Sequence, residues 1–326
     1  MRRRHLVAAA VLGVGGSRAS LAQLRNLPVV GFLNSASART YSSNVEAFRA
    51  GLRETGFVEG ESVLIEYRFA DNDYASLPAL AADLVRRKVA VIAATGDLAS
   101  TRAAQGATRD IPIVFTVGSD PVPFGLVDSL ARPGGNSTGA TLFSSTLSAK
   151  RMELLREVAP AATQVALLMN PDNLNVAVDT RALQDAARSL GRRTVVVEAR
   201  GPAEFDGAFD TIRQNGAGAV VVASDPMFLG QRVRIIALAA QHRLPVMYWT
   251  RDFAEAGGLI SYGTSIAWMY RQAGVYCGRI LKGARPGELP VVQPTTFELI
   301  INQKTARTLD VVIPKPLLLR ADAVID

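Results

Sequence analysis

The side chains able to do chemistry are few in this chain, and their scarcity is the first constraint on function. Of the two histidines, His5 sits in an N-terminal basic cluster and His242 follows an amphipathic segment beside Arg243. A hydrolytic triad would need His242 paired with a nucleophile, but no Gly-x-Ser-x-Gly turn accompanies it, so it reads as a surface residue. One cysteine and one remaining histidine cannot supply the three or four Cys/His ligands of a zinc centre. Cys277 falls on the apolar stripe Ile266, Met269, Tyr270, Ala273, Tyr276, Ile280 and Leu281, which assigns it to packing. Gly13-Val14-Gly15-Gly16 follows no strand, and Gly134-Gly135 lacks the Lys-Ser/Thr of a phosphate loop. No cofactor and no metal are implied. What remains is polar and acidic: Asp120 and Asp225 each precede a proline, where they suit either contact with a ligand or the capping of a turn or helix.

Such residues act only where a fold brings them together. Apolar runs at Val29 to Leu33, Val63 to Tyr67, Val89 to Ala94 and Ile111 to Phe115 read as strands. Four more follow at Val165 to Met169, Thr194 to Val197, Ala219 to Ala223 and Pro245 to Trp249. Between them the helical period recurs, as in Leu77, Leu80, Ala81, Leu84 and Val85. This alternation predicts an α/β fold with parallel sheets. The chain also echoes itself: Val29 to Asn34 compares with Val165 to Asn170, and Val91 to Thr95 with Val220 to Ser224. Two related Rossmann-like lobes are expected, joined near the Gly-rich stretch Pro133 to Gly139.

Ligands of open parallel sheets bind beyond the carboxyl ends of the strands. The candidate contacts are therefore Asn34, Ser35, Thr95, Gly96, Asp97, Ser119 and Asp120 from the first half, and Asn170, Ser224 and Asp225 from the second. Phe228 and Tyr262 are added for stacking on a planar group, and Arg251 as the nearest counter-charge. Tyr248 and Trp249 point opposite ways on a strand, so at most one faces the cleft. The acids at Asp97, Asp120 and Asp225 favour a ligand with a cationic or hydrogen-donating group. The alternative is that all three are caps.

Met1-Arg2-Arg3-Arg4-His5, the apolar run Leu6 to Val14 and the small-x-small site Ser20-Leu21-Ala22 form an export signal at residues 1–22, with the mature chain starting near Gln23. Arg2 stands where a twin-arginine signal carries Ser or Thr, which favours the general secretory route. Loss of Arg2, Arg3, Arg4 and Arg18 takes the formal charge from +7 to +3, and no basic stripe remains for nucleic acid. A soluble, monomeric periplasmic protein is expected.

Several segments together resemble the extracytoplasmic substrate-binding proteins of ABC transporters related to tryptophan- and tyrosine-binding members. They are Phe48 to Phe57, Asp110 to Phe115, Ser119-Asp120-Pro121 with Gly125-Leu126-Val127, Arg132 to Gly139, Arg251 to Phe253, Glu255 to Gly258, Ile260 to Gly263, and Phe297 to Asn302 with Lys304 to Ala306. The resemblance implies a type I periplasmic-binding-protein fold with three crossings between lobes, near Gly139, Arg251 and Leu289. It divides the chain into an N-terminal lobe of 27–139 plus 251–285 and a C-terminal lobe of 140–250 plus 289–326. It further implies a small organic ligand, an ABC permease as partner and no catalysis. Relatives often carry Gly-Gly-x-Pro after the third strand, whereas this chain has Gly96-Asp97-Leu98-Ala99. A small-molecule sensor and a two-lobed α/β enzyme are the rival classes.

Overall fold

The alternating pattern folds into two sheets, seen in a computed structural model that describes residues 27–326. The expected leader and its cleavage point near Ala22 lie outside the described residues. In chain order the first half contains β1 (Val29–Asn34), α1 (Ser42–Glu54), β2 (Leu64–Phe69), α2 (Leu77–Arg86), β3 (Val91–Thr95), α3 (Leu98–Ala107), β4 (Ile113–Val117) and β5 (Ser137–Thr141). The second begins with α4 (Ser148–Val158), β6 (Gln164–Met169), α5 (Val176–Ser189), β7 (Arg193–Glu198), α6 (Phe205–Gln214) and β8 (Ala219–Val222). It continues with α7 (Pro226–Gly230), α8 (Arg232–Gln241), β9 (Val246–Tyr248), α9 (Arg251–Glu255) and β10 (Ile260–Gly263). After α10 (Ile266–Leu281) come β11 (Glu298–Asn302), α11 (Gln303–Thr308), α12 (Lys315–Arg320) and β12 (Ala323–Ile325).

The first sheet has the order β2-β1-β3-β4-β5 and is parallel throughout. The second runs β12-β11-β10-β9-β8-β6-β7, with β11 antiparallel to β10. Its segment β7-β6-β8-β9-β10 repeats the connectivity of the first sheet, so the internal echo is a repeat of topology. Both faces of each sheet are covered, which explains why the central strands are continuous apolar runs. On β1, Val30 and Phe32 pack with Phe48 and Leu52 of α1, while Leu33 turns to the other face and packs with Leu77, Ala81 and Leu84 of α2.

Each of the eight apolar runs carries a strand. Four further strands lacked a legible signal. The stretch expected as a Gly-rich turn and join is in fact β5 from Ser137 onward. A Cβ on Gly139 would lie 2.0 Å from the Phe115 carbonyl oxygen, so glycine there permits close strand approach and does not mark a loose joint.

The crossings also move. The first follows Thr141. The second lies at Thr264–Ser265 and not near Arg251, because Ile260 and Ser261 pair with β9 in the second sheet. The chain returns to the first lobe with α10, which meets α1 backbone to backbone: a Cβ on Gly51 or Gly274 would fall 2.0 Å from a carbonyl oxygen of the partner helix. The third crossing follows Val292, which bridges to Ala140 of β5, while the Leu289 carbonyl accepts from Thr138 Oγ1. Residues 251–263 therefore stand with the second sheet and 289–292 with the first, opposite to the expected division. Cys277 is wholly buried on α10.

Candidate ligand-binding site

Strand order decides where a crevice can open. In each sheet the connection reverses direction between the first and third strands of its repeat, and the loops diverging there leave a gap above the strand ends. For the first sheet this is the β1/β3 boundary, with Asn34, Ser35, Thr95, Gly96 and Asp97. For the second it is the β6/β8 boundary, with Asn170, Ser224 and Asp225. The two boundaries face each other across a narrow cavity lined from both lobes.

Gly96 and Asp97 form one wall, with Tyr41, Gly118, Met269 and Tyr270; Asn173, Asn175, Ser224, Pro226 and Trp249 form the opposite one. Ser119 Oγ donates to Asn175 Oδ1, a buried hydrogen bond between the lobes. Among the lining residues none carries a positive charge. Trp249 is the member of its pair that faces the cavity, and Tyr248 stacks on Phe253 at 4.5 Å in the core.

The strand-end asparagines brace this arrangement. Asn34 Oδ1 accepts from the Ala36 amide, and its Nδ2 donates to Thr95 Oγ1 at 2.9 Å and to the Tyr270 hydroxyl at 2.8 Å. Asn170 repeats the first contact, accepting from the Asp172 amide, and its Nδ2 donates to Asp225 Oδ2 at 3.0 Å. Thr95 in turn donates to the Leu33 carbonyl.

All three acids cap. Asp97 Oδ1 accepts from the Ser100 amide and hydroxyl at the start of α3. Asp120, half-buried, holds the Val122 amide and is not among the residues lining the cavity. Asp225 Oδ1 accepts from the Met227 and Phe228 amides of α7, and its Oδ2 from Asn170 and Asn173. Burial pushes the Asp225 carboxyl up to about 6, against the pull of those donors and with Asp97 adding to the rise. Burial also raises Asp97, opposed by its neighbouring donors.

Of the expected contacts, Gly96, Asp97 and Ser224 line the cavity; Asn34, Ser35, Thr95, Ser119, Asn170 and Asp225 stand behind the lining residues, and Phe228, Arg251 and Tyr262, like Asp120, lie elsewhere. Phe228 is fully buried against Phe205, because the first turn of α7 directs it into the core. Arg251 is half-exposed and ion-paired with Glu255 and Glu298. Tyr262 packs near Phe297, and its carbonyl accepts from Arg151 Nε at 2.8 Å. Arg151, on α4, also donates to the Ser144 carbonyl and hydroxyl, so one buried guanidinium ties the first crossing to the strand before the second. Burial holds it down to about 10, and the nearest opposite charge is Asp179 of α5, which burial raises to about 7. Tyr41, Asn175 and Met269 were not singled out from sequence. Met269 and Tyr270 carry the periodicity of a core stripe, which does not distinguish a core from a cavity wall.

A family model described as ABC transporter substrate binding protein matches residues 30–325. The chain belongs to the ABC transporter substrate-binding protein family. Among curated relatives, a tyrosine-binding protein of Clostridioides difficile (strain R20291) is 27% identical over 265 residues, 81% of this chain and 76% of that one. Among solved structures, a conserved domain protein of Vibrio cholerae O1 biovar El Tor superposes with a TM-score of 0.85 at 26% identity, covering 92% of this chain and all of that one. An ABC domain from Streptococcus pneumoniae in complex with L-Trp gives 0.84 at 22% identity with the same coverage. The ligand-free, open structure of a substrate-binding protein with adhesive properties from Clostridium difficile gives 0.66 at 25% identity, covering 92% and 99%. These neighbours, with more distant sugar- and amino-acid-binding proteins, give this substrate-binding protein the type I periplasmic-binding-protein fold. No helix among its described residues is long and apolar enough to cross a membrane.

Proposed function

We propose that this chain is the extracytoplasmic solute-binding component of an ABC importer. It works in the periplasm, taking a small organic ligand, amino-acid-like or amide-like with a planar part, into the cavity between its lobes. The observation that carries the reading is the cavity itself, built at two facing switch points and walled by aromatic and polar side chains. Trp249, Tyr41 and Tyr270 take the stacking role expected of Phe228 and Tyr262. The relatives described as tyrosine-binding and as complexed with L-Trp support an aromatic amino acid as the first ligand to try. Closure about the three crossings follows from rigid lobes joined by short segments, and the closed form is what a membrane permease would receive. The lower superposition on a relative described as open supports such a movement.

The test is direct. Protein purified from the periplasm is extracted and the extract identified by mass spectrometry; the compound is then titrated back by calorimetry, alongside L-tyrosine and L-tryptophan. Binding at micromolar affinity, about 8 kcal/mol, with a smaller radius of gyration in solution scattering, is the expected result. Absence of any bound or binding small molecule would remove the reading, as would an exported protein that retains Met1.

A further inference from the structure

The two buried carboxylates at the switch points, Asp97 in the cavity wall and Asp225 between the lining residues Ser224 and Pro226, differ in what they still have to offer. A carboxylate presents about four acceptor positions. Those of Asp225 are filled by four protein donors: two backbone amides and two asparagine amides. Asp97 uses one oxygen for the Ser100 amide and hydroxyl, and its Oδ2 accepts from no protein group. Two hydroxyls, Ser35 Oγ and Tyr74 OH, flank this carboxylate as its nearest further donors, neither in full hydrogen-bond geometry. Ser35 is 1% exposed, and its oxygen lies 2.5 Å from where a Cβ on Gly96 would stand. Gly96 itself has φ +102°, so the glycine is needed both for its conformation and for the space beside Ser35.

Across the cavity the indole N–H of Trp249, a residue only 4% exposed, is also without a partner. Buried polar groups are normally paired; Asp97 and Trp249 line one cavity from opposite walls, the first with a carboxylate oxygen and the second with an indole N–H unspent, and together they mark a place built for another molecule. The chemistry is asymmetric. A carboxylate without a cation on the walls calls for a positively charged hydrogen-bond donor.

We infer that Asp97, its carboxylate positioned by Ser35 and Tyr74 behind it, forms the subsite for a protonated nitrogen of the ligand, an ammonium or amidinium, while Trp249 donates to an acceptor at the ligand's other end. The inference rests on the solute-binding reading above. It assigns the charge-recognising role to the first lobe and leaves Asp225 a structural one. The Gly96-Asp97-Leu98 loop thereby becomes a specificity determinant.

Thermal shift and calorimetry on the mature full-length protein, against a panel of free amino acids, polyamines, guanidino compounds, nucleobases, dicarboxylates and sugars, test this. Every compound that binds should carry a protonated nitrogen. Its analogue lacking that nitrogen, such as 3-(4-hydroxyphenyl)propionate for L-tyrosine, should bind roughly ten- to hundredfold more weakly. Asp97→Asn keeps an oxygen for the α3 cap; it should weaken the amine by a similar factor and leave the desamino analogue unchanged. Ser35→Ala and Tyr74→Phe should each give a smaller loss, and Asp120→Asn, outside the cavity, none. If Asp97→Asn proves unfolded by circular dichroism, the hydroxyl variants and the analogue pair carry the test alone. A tight ligand without a protonated nitrogen, or equal binding by Asp97→Asn, overturns the subsite while the solute-binding reading stands. A panel in which nothing binds, with nothing copurified, overturns both.

Discussion

Asp97 and Asp225 occupy the same station in two lobes built on one plan. Each follows the third strand of its repeat, each is the N-cap of the next helix, and each is nine-tenths or more buried at the mouth of a switch point. Their environments are opposite. Asp225 is saturated by its own lobe and serves as the knot that ties β6, the Asn170–Asn175 loop and α7 together. Asp97 spends half its capacity on a cap and leaves the rest toward the cavity. Topological repetition thus duplicates the position of an acid without duplicating its task, and the neighbours within hydrogen-bond reach decide which task each performs.

The widest gap between the two should appear in stability. Asp225→Ala removes a helix cap and strips two buried asparagine amides of their acceptor, a loss of roughly 3–5 kcal/mol. Asp97→Ala removes only the cap and should cost about 1 kcal/mol. Urea unfolding of the two variants measures the difference, and equal losses would break the comparison.

Buried charge in the second lobe extends the contrast to pH. Asp179 titrates at about 7 because burial outweighs the attraction of Arg151, with Asp225 adding to the rise. An unfolded aspartate titrates near 4, so between pH 4 and 7 the native state holds a proton that the unfolded chain has released. The contribution of this group to stability therefore falls as pH rises through that window and is level above it. Asp179→Asn removes the slope: its stability relative to the parent should improve by roughly 3 kcal/mol between pH 4.5 and pH 8. Melting curves across that range would show a constant difference if Asp179 titrates normally.

The smallest effect is expected at the contact that joins the halves. Ser119→Ala deletes the hydroxyl that reaches Asn175 across the cleft, worth about 1 kcal/mol. Because the bond exists only between lobes, the loss should appear less in the unfolding midpoint than in a shift toward the open form, read as a larger radius of gyration of the ligand-free protein. A midpoint shift without expansion would place the bond within the folding core instead.

Much of this was legible in the residues. Apolar runs at period two flanked by helices at period 3.6 located the central strands, and the paired Asn34 and Asn170 marked the two strand ends that became switch points. Four strands were not legible, β5 among them: Ser137–Thr141 has no apolar run, and its burial comes from neighbours distant in sequence. Phe228 and Tyr262 look suited to stacking because aromatic residues follow strand ends, but the direction of a side chain leaving a helix turn or a strand depends on register.

By itself, then, the sequence determined what local periodicity and composition can encode. It specified an α/β chain repeated twice, the strand ends that carry polar residues, the absence of a Cys/His metal set, and Cys277 as packing. The tertiary structure alone decided where the chain crosses between lobes, because α10 is held to α1 by the backbone approach at Gly51 and Gly274, residues that only meet in the folded molecule. It also decided which of two equivalent acids has lone pairs to spare, since that depends on donors such as Asn173 and on hydroxyls such as Tyr74. These are brought to the carboxylates by the fold and carry no mark in the local sequence.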